Sequence, residues 1–344
     1  MIHKAAILLL SALLLACDAA DPQAAQWQQY VKSLSRSLDR QAPTTALMPL
    51  PTLPSSATLL RQVDSEQINL LEFLRLRRCA LGQTLAEKNS ILGRHGDHAA
   101  ALIFTLRFLD EVDSCISTLG DDAPALVASL QSAKQRKRAQ LPAQLFNALI
   151  AGPEFRQLWT APAQQRQSYP PMQRDVAVAA LAHWRLLQTQ WLAGRDYQRH
   201  SELLPLLADI RRGLGGEWLH YQRQARQGLE QANALLAQRL RGRPLCLTGG
   251  ANQNARIFAQ VLHKQFIAGI QAEAGLANRH QQALLAELAA IDAALAAQQA
   301  LPPSYLVWQQ QLSRLGEDLL QAFRRHVKLS GELLAQCGLS PTLP

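Results

Sequence analysis

A chain of 344 residues with 48% hydrophobic content can bury one large core or two smaller ones, which excludes an intrinsically disordered polymer. Its formal net charge of +9 favours anionic neighbours, such as phospholipid headgroups, lipopolysaccharide or wall polymers. After the N-terminal segment, no apolar run approaches the roughly twenty residues that a membrane-spanning helix needs, so we expect a body that lies outside the bilayer.

The N-terminal residues predict export and lipidation. Lys4 precedes an apolar run of eleven residues, Ala5 to Leu15, which has the length of a signal peptide and is too short to cross a bilayer. Leu14-Leu15-Ala16-Cys17 resembles the bacterial lipobox, although Leu15 is bulkier than the usual alanine or serine. The resemblance implies that residues 1–16 are removed and that Cys17 is lipidated and anchored in a membrane. The alternative is an ordinary signal peptide with a chance cysteine.

The expected compartment narrows the choice of partners. Asp18 beside the lipidated cysteine, by resemblance to enterobacterial lipoproteins, implies retention at the periplasmic face of the inner membrane. Loss of Lys4 with the signal lowers the formal charge from +9 to +8. We therefore expect an anionic envelope component or an envelope protein as a partner, and no nucleic acid.

The first mature residues predict one helix and a linker. Residues 22–41 carry Trp27, Tyr30, Val31 and Leu34 at helical spacing. Residues 42–58 hold four prolines, which cannot donate helix hydrogen bonds, so this stretch should be extended or irregular and could pack across helices. We divide the chain into a signal peptide (1–16), a lipidated helix with its linker (17–58) and a helical domain (59–344).

From Asp64 onward the apolar spacing is helical, and no β-branched run alternates as a strand does. Residues 64–67 look like a capped helix start, and residues 92–97 form a predicted turn before a second helix, so the two helices make a hairpin. Further helices are expected at about 122–138, 142–151, 171–194, 201–241, 252–298 and 304–336, with interruptions at Pro205, Gly213–Gly216 and Gly275. The fold class is all-α, an irregular bundle of long antiparallel helices.

Four cysteines remain once Cys17 carries lipid, and an oxidising compartment favours disulfides, for which three connectivities exist. Residues equidistant from a hairpin turn face each other, and the turn centres near residue 95. Cys79 and Cys115 lie within one helical turn of that symmetry, so we pair them. Cys246 and Cys337 both mark helix ends and form the remaining pair.

Several short motifs are distributed along the chain: Cys79-Ala-Leu-Gly82, Asn89-Ser-Ile-Leu-Gly93, Phe108-Leu-Asp110, Cys115-Ile116, Arg243-Pro-Leu-Cys246, Gln265-Phe-Ile267 and Gly269-Ile-Gln271. Together they resemble a family of Gram-negative envelope lipoproteins named domain of unknown function 3080. The resemblance covers nearly the whole mature chain. It implies a lipoprotein with shared cysteines and transfers no catalytic residue.

For several other motifs, the sequence allows a structural role as well as a functional one. His95 and His98 flank a predicted turn and lack a convincing further metal ligand. The dipeptide Gly249-Gly250 ahead of Asn252 favours a turn and helix cap over an anion site. The aromatic pair Trp184 and Trp191, with Leu187, favours core packing over sugar stacking. Two basic clusters, residues 134–138 and 239–243, are either contact patches or solvated helix faces.

These residues favour a non-catalytic binding or scaffolding protein, with no catalytic residue, metal or cofactor expected. Zinc-protease, nucleophile-elbow and phosphate-loop motifs are absent, and so is the Glu-Ser dipeptide that lytic transglycosylases characteristically carry. The alternative is a cell-wall- or lipid-modifying enzyme whose site is built from dispersed residues. A deep pocket with convergent carboxylates or histidines would favour the enzyme, whereas a shallow basic or apolar face would favour the binder.

Overall fold

The computed structural model describes residues 21–64, 76–90, 96–164, 169–247 and 249–340. Within these ranges the chain is helical and contains no β-strand, which confirms the predicted all-α class. In chain order the helices are α1 (Pro22–Leu38), α2 (Ser56–Leu59), α3 (Ala80–Asn89), α4 (His98–Leu119), α5 (Pro124–Leu149), α6 (Pro153–Leu158), α7 (Val176–Leu192), α8 (Leu203–Arg211), α9 (Gly215–Arg241), α10 (Gln253–Val261), α11 (Ala272–Ala296) and α12 (Pro303–Ala335). None of the described helices is both long and apolar enough to cross a bilayer.

Helix α1 begins and ends with recognisable signals. The Asp21 carboxylate accepts backbone N–H bonds from Gln23 (2.9 Å) and Ala24 (3.1 Å), and Pro22 occupies the first helical position. Asp39 terminates the helix with a left-handed φ of 52°. Trp27 and Tyr30 of this helix are buried in the same hydrophobic core as side chains of the later helices.

The proline-rich linker packs across the helices, as the sequence suggested. Arg156 of α6 donates hydrogen bonds to the carbonyls of Leu53 (3.2 Å) and Pro54 (2.6 Å). The side chain of Asn147 both accepts from and donates to the backbone of Arg61, each at 2.8 Å. Side chains therefore satisfy backbone groups that no helix or sheet satisfies here.

Helices α3 and α4 form the predicted hairpin. Three contacts join them in antiparallel register: the Cys79–Cys115 disulfide, the Thr84–Glu111 hydrogen bond and the Glu87–Arg107 ion pair. All three pairs are centred near residue 97, two residues beyond the turn centre expected from the sequence. The proposed start at residues 64–67 and most of the turn, residues 91–95, lie outside the described residues, and α3 itself begins only after Cys79.

Three predicted breaks are not where the sequence placed them. Pro142 lies inside α5, which continues because Leu141, Leu145 and Phe146 on both sides of it are buried. Pro205 lies in the first turn of α8, where a missing N–H leaves no bond unmade. Gly275 lies within α11, and the helical rod of residues 253–296 departs from α geometry at a π-helical segment, Leu262–Gln271.

Helices α1, α9 and α12 run parallel to one another. Asp21 contacts His220 and Trp27 lies against Gly228, so α1 follows α9 in the same direction. Arg226 lies 3.9 Å from Asp318, and Leu245 bonds to Gln336, which sets α12 in that direction too. The rod of residues 253–296 carries the chain from the end of α9 back towards the start of α12. This long connection allows the two helices to pack in parallel.

Both predicted disulfides are present. Cys79 and Cys115 join the start of α3 to the end of α4, with their Cα atoms 5.3 Å apart. Cys246 and Cys337 join the loop after α9 to the second residue after α12, with a Cα distance of 5.1 Å. Both cysteines of the second pair are buried. The two disulfides therefore stabilise two different parts of the fold.

Candidate functional site

The most ligand-like feature is a groove between α11 and α12, with part of α9 as its floor. Its volume is about 360 Å³, within the range of small-molecule sites. The lining residues are Tyr221, Gln222, Gln271, Ala274, Gly275, Ala277, Asn278, Gln281, Gly316, Leu319, Leu320, Phe323, Arg324 and Val327. This lining, which we call the apolar groove, includes neither a carboxylate nor a histidine.

Small residues on α11 create the space in the groove. Ala274, Gly275 and Ala277 occupy the wall where larger side chains would fill the gap between the helices. A Cβ atom added to Gly275 would have the guanidinium of Arg279 as its near neighbour, at 3.7 Å. The groove is thus open at Gly275, with a cation close to its rim.

The opposite wall combines exposed apolar groups with a second cation. Leu320 and Val327 of α12 are 49% and 50% exposed, respectively, although both are large and hydrophobic. Arg324 lies between them in the sequence and also lines the groove. Exposed apolar surface next to a polar rim is typical of a binding site.

The floor carries polar atoms without partners. Tyr221 and Gln222 are each 2% exposed, and neither the Tyr221 hydroxyl nor the Gln222 Oε1 has a hydrogen-bond partner among the described residues. Burial raises the pKa of Tyr221, with a smaller contribution from the charge of Glu273. A neutral phenol and an amide therefore form the polar part of the floor.

Gln281 bounds the apolar groove at one end by crossing α12 at Gly316. Beyond it lies an open cavity of about 550 Å³, and Gln309 is among its lining residues. Gln309 donates to the buried carboxyl of Asp292, which also receives the Tyr305 hydroxyl at 3.1 Å. Burial raises the pKa of Asp292 to about 7, against the opposing effect of these two hydrogen bonds.

A second groove, of about 320 Å³, lies on the other side of α12, against α9. Arg226, Glu230 and Asp318 line it, with Arg226 Nε 2.7 Å from Glu230 and Nη1 3.9 Å from Asp318. Arg325 also lines this charged groove, whereas its neighbour Arg324 lines the apolar groove.

A buried histidine lies behind the charged groove. The Asn233 amide donates to the Ala322 carbonyl, so its oxygen accepts from His326 Nδ1 at 2.9 Å, and His326 Nε2 accepts the Tyr30 hydroxyl at 2.7 Å. The ring of Phe266 lies 4.3 Å from the imidazole, centroid to centroid. Burial lowers the pKa of His326 to about 3, so the ring is neutral.

Two further histidines tie helices together. His280 Nε2 donates to Asp175 (2.8 Å), and His280 Nδ1 accepts from the Tyr169 hydroxyl (3.1 Å). Asp175 also caps α7 and accepts the backbone N–H of Leu214 at 3.0 Å. His220 is fully buried and bonds to Asp21, the cap of α1. Although the Asp–His–Tyr order resembles a catalytic relay, every member is buried and holds a helix end or a crossing.

The aromatic candidates and the turn candidate have the predicted structural roles. Trp184, Leu187 and Trp191 are fully buried in the core. Asn252 caps α10 by accepting the N–H of Ala255 at 2.9 Å. His98 begins α4 at the surface, His95 lies outside the described residues, and no group of three metal-binding side chains occurs in the part of the chain that the structure describes.

The first basic cluster is partly exposed and partly packed. Lys134 pairs with Asp113 at 2.6 Å. Lys137 is 8% exposed, with its ammonium 5.2 Å from the ring centroid of Phe108. The other three residues of the cluster are exposed on the helix face. Cys17 lies outside the described residues.

The sequence analysis did not identify the apolar groove. A signal was available, because Leu320 and Val327 lie seven residues apart on α12 and off the buried stripe of Leu312, Leu315 and Leu319. A second apolar stripe on one helix indicates a second contact. Which helix or ligand it faces depends on the return path of the chain, and periodicity does not reveal that.

A family model described as protein of unknown function (DUF3080) matches residues 27–341. No curated protein matches the chain, and no solved structure matches it either.

Proposed function

Since the chain belongs to this family of proteins of unknown function, DUF3080, we propose a function from its own structure: a membrane-anchored envelope lipoprotein that binds an amphiphile non-catalytically in the apolar groove. The amphiphile has an acyl chain and an acidic head. The main observation behind this proposal is that Leu320 and Val327, on either side of Arg324, are each about half exposed to solvent. Binding would remove that apolar surface from water, at about 25 cal/mol per Å².

The polar groups of the groove support an acidic head. Arg324 lines the groove and Arg279 covers Gly275, so two guanidinium groups border the opening. A guanidinium binds a carboxylate or phosphate with paired hydrogen bonds. The lining offers no carboxylate or imidazole to act on such a head, which favours binding over the enzymatic alternative.

A substitution at Gly275 tests the groove without threatening the fold. Gly275→Leu places a side chain in the opening, and replacing a glycine within a helix stabilises it by about 0.5–1 kcal/mol. We expect displacement assays with a fluorescent fatty acid to show lost binding at unchanged or raised thermal stability. The protein used begins at Asp18 and so retains every described residue.

Gly331→Leu is the matched control, since Gly331 is also within a helix and a Cβ atom there would meet nothing within 4 Å. The control should bind the fatty acid as the unmodified chain does. Equal binding by both variants, or equal loss in both, would contradict the assignment of the groove.

The anchor is tested separately. If Cys17 is the lipidated residue, Cys17→Ser removes the thiol that forms the thioether, and unprocessed precursor accumulates without incorporated palmitate. Fractionation of the unmodified protein would place it at the periplasmic face of the inner membrane if Asp18 acts as proposed. Unchanged processing and membrane association of the variant would refute the anchor but not the groove.

A further inference from the structure

Three arginines converge at one end of the bundle. Helices α1 and α9 run parallel and end together; Arg40 follows α1, Arg239 lies in the last turn of α9, and Arg243 follows shortly after. The Arg40 guanidinium lies against Gly242, where a Cβ atom would be 3.1 Å from Nη2. We call Arg40, Arg239 and Arg243 the basic end.

Helix termini explain part of this arrangement. Arg40 Nη1 donates to the Asp39 carbonyl at 2.7 Å, and Arg239 Nη2 donates to the Pro244 carbonyl at 3.3 Å. The first bond occupies a carbonyl group at the end of α1, and the second ties α9 to the loop that follows it. Each uses only part of a guanidinium, which carries five N–H donors.

One buried guanidinium donor of the basic end has no acceptor in the described part of the chain. Arg239 Nε is buried and has no hydrogen-bond partner among the described residues. Over the same residues, no carboxylate lies within 4.0 Å of the three guanidinium groups. Burial lowers the pKa of Arg239, and the positive charges of Arg40 and Arg243 lower it further against the opposing charge of Asp39. An anion placed here would satisfy donors and relieve repulsion together.

The loop beside the basic end presents an apolar side chain. Leu247 is 65% exposed, four residues after Arg243. The disulfide to Cys337 holds this loop at Cys246. At Leu245, the backbone N–H donates to the side chain of Gln336 (2.9 Å), and the carbonyl accepts from the side chain of Asn252 (2.7 Å). Leu247 is therefore exposed on an anchored loop next to the arginines.

We propose that the basic end and Leu247 together form a contact surface for a bilayer containing anionic phospholipid. The arginines bind headgroup phosphates, and Leu247 inserts at the boundary between headgroups and acyl chains. A soluble phosphate or a polyanionic wall polymer would use the arginines alone. The combination with an exposed leucine favours a lipid surface, and it does so independently of the apolar groove.

Vesicle partitioning tests this surface with the protein that begins at Asp18. Phosphatidylcholine vesicles with and without phosphatidylglycerol are compared by sedimentation. The triple variant R40Q/R239Q/R243Q should partition about a hundredfold more weakly into the anionic vesicles, which corresponds to about fivefold for each arginine removed. The affinity of the unmodified protein should fall as salt rises.

The control R174Q/R211Q/R314Q removes the same charge from exposed positions elsewhere on the molecule. Its partitioning should fall far less than that of the triple variant. Equal weakening by both would show that net charge alone attracts the protein, which overturns the proposal.

Leu247→Gln separates a bilayer from other polyanions. It should weaken partitioning about tenfold, as expected for loss of one buried leucine. Leu204→Gln, at a position 56% exposed on α8, should have no effect. Binding that needs the arginines but not Leu247 would assign the surface to a soluble anion or wall polymer and overturn the bilayer proposal. Gly275→Leu should leave vesicle binding unchanged.

Discussion

Helix α12 borders two grooves of similar volume that differ in chemistry. In the charged groove, Arg226 has carboxylates from both α9 and α12 as neighbours, at 2.7 and 3.9 Å. In the apolar groove, Leu320 and Val327 remain half exposed and Arg324 has no ion pair among the described residues. In the charged groove Arg226 is paired with carboxylates, whereas the apolar groove has half-exposed apolar area beside a cation. Cavity volume alone would not distinguish them.

The two sides of α12 also lie near different buried titratable groups. His326 is behind the charged groove, where burial lowers its pKa to about 3. Asp292 lies under the cavity beyond Gln281, where burial raises its pKa to about 7. Burial favours the neutral form of both groups, but their effects on the free energy of unfolding have opposite dependence on pH.

The largest effect is expected from His326. In the unfolded chain its pKa is near 6.5, so between pH 6.5 and about 3 the unfolded state binds a proton that the folded state does not. The neutral imidazole therefore contributes fully to the free energy of unfolding above pH 6.5. This contribution, up to about 5 kcal/mol, is lost as the pH falls towards 3. Measured by urea unfolding, the free energy of unfolding of His326→Gln should fall less steeply in acid than that of the unmodified protein, although the variant loses packing at neutral pH. His98→Gln at the surface is the control, and an unchanged acid limb in His326→Gln would contradict the neutral, buried imidazole.

Asp292 should make the free energy of unfolding depend on pH in the opposite direction. Its folded pKa of about 7 exceeds the ordinary pKa of 3.8, so the folded state binds the extra proton between these values, and the free energy of unfolding falls as the pH rises through them. Asp292→Asn removes the charge at nearly constant shape. Above about pH 8 it should stabilise the protein by up to about 4 kcal/mol, measured by urea unfolding. Destabilisation at that pH would show that the carboxylate is ionised and well solvated in the fold.

The adjacent arginines of α12 test the comparison directly. Arg324→Gln should weaken binding of a fluorescent fatty acid about tenfold, because it removes a charged hydrogen bond to the head. Arg325→Gln changes the same charge one residue away but faces the charged groove, so it should leave binding unchanged. Equal effects of the two substitutions would mean that long-range charge, not the apolar groove, attracts the ligand.

The smallest effect is expected within the charged groove. Asp318 has a side chain 62% exposed and lies 3.9 Å from Arg226, which keeps its shorter contact with Glu230. Asp318→Asn should therefore change the free energy of unfolding by less than about 0.5 kcal/mol. A loss above about 1 kcal/mol would show that the charged groove is a structural network rather than a solvated surface.

Local signals predicted most of the helices. Asn252 supplies the side-chain oxygen that α10 needs at its start, and Trp184, Leu187 and Trp191 form a buried stripe on α7. Such signals work because capping and burial act within a few residues along one helix. Pro142 misled the prediction since the missing hydrogen bond is outweighed by packing of both halves of α5 against other helices.

The sequence by itself determined the all-α class and the Cys79–Cys115 pair, because helical period and distance from a turn are properties of neighbouring residues. The Cys246–Cys337 pair then followed as the remaining one. Only the tertiary structure decided that Leu320 and Val327 line an open groove and that Arg40 meets Arg239. The open groove depends on residues 253–296, which return the chain so that α9 and α12 run parallel. The contact between the two arginines depends on the parallel packing of α1 against α9. Contacts between residues far apart in sequence are fixed by such crossings, and no local pattern encodes them.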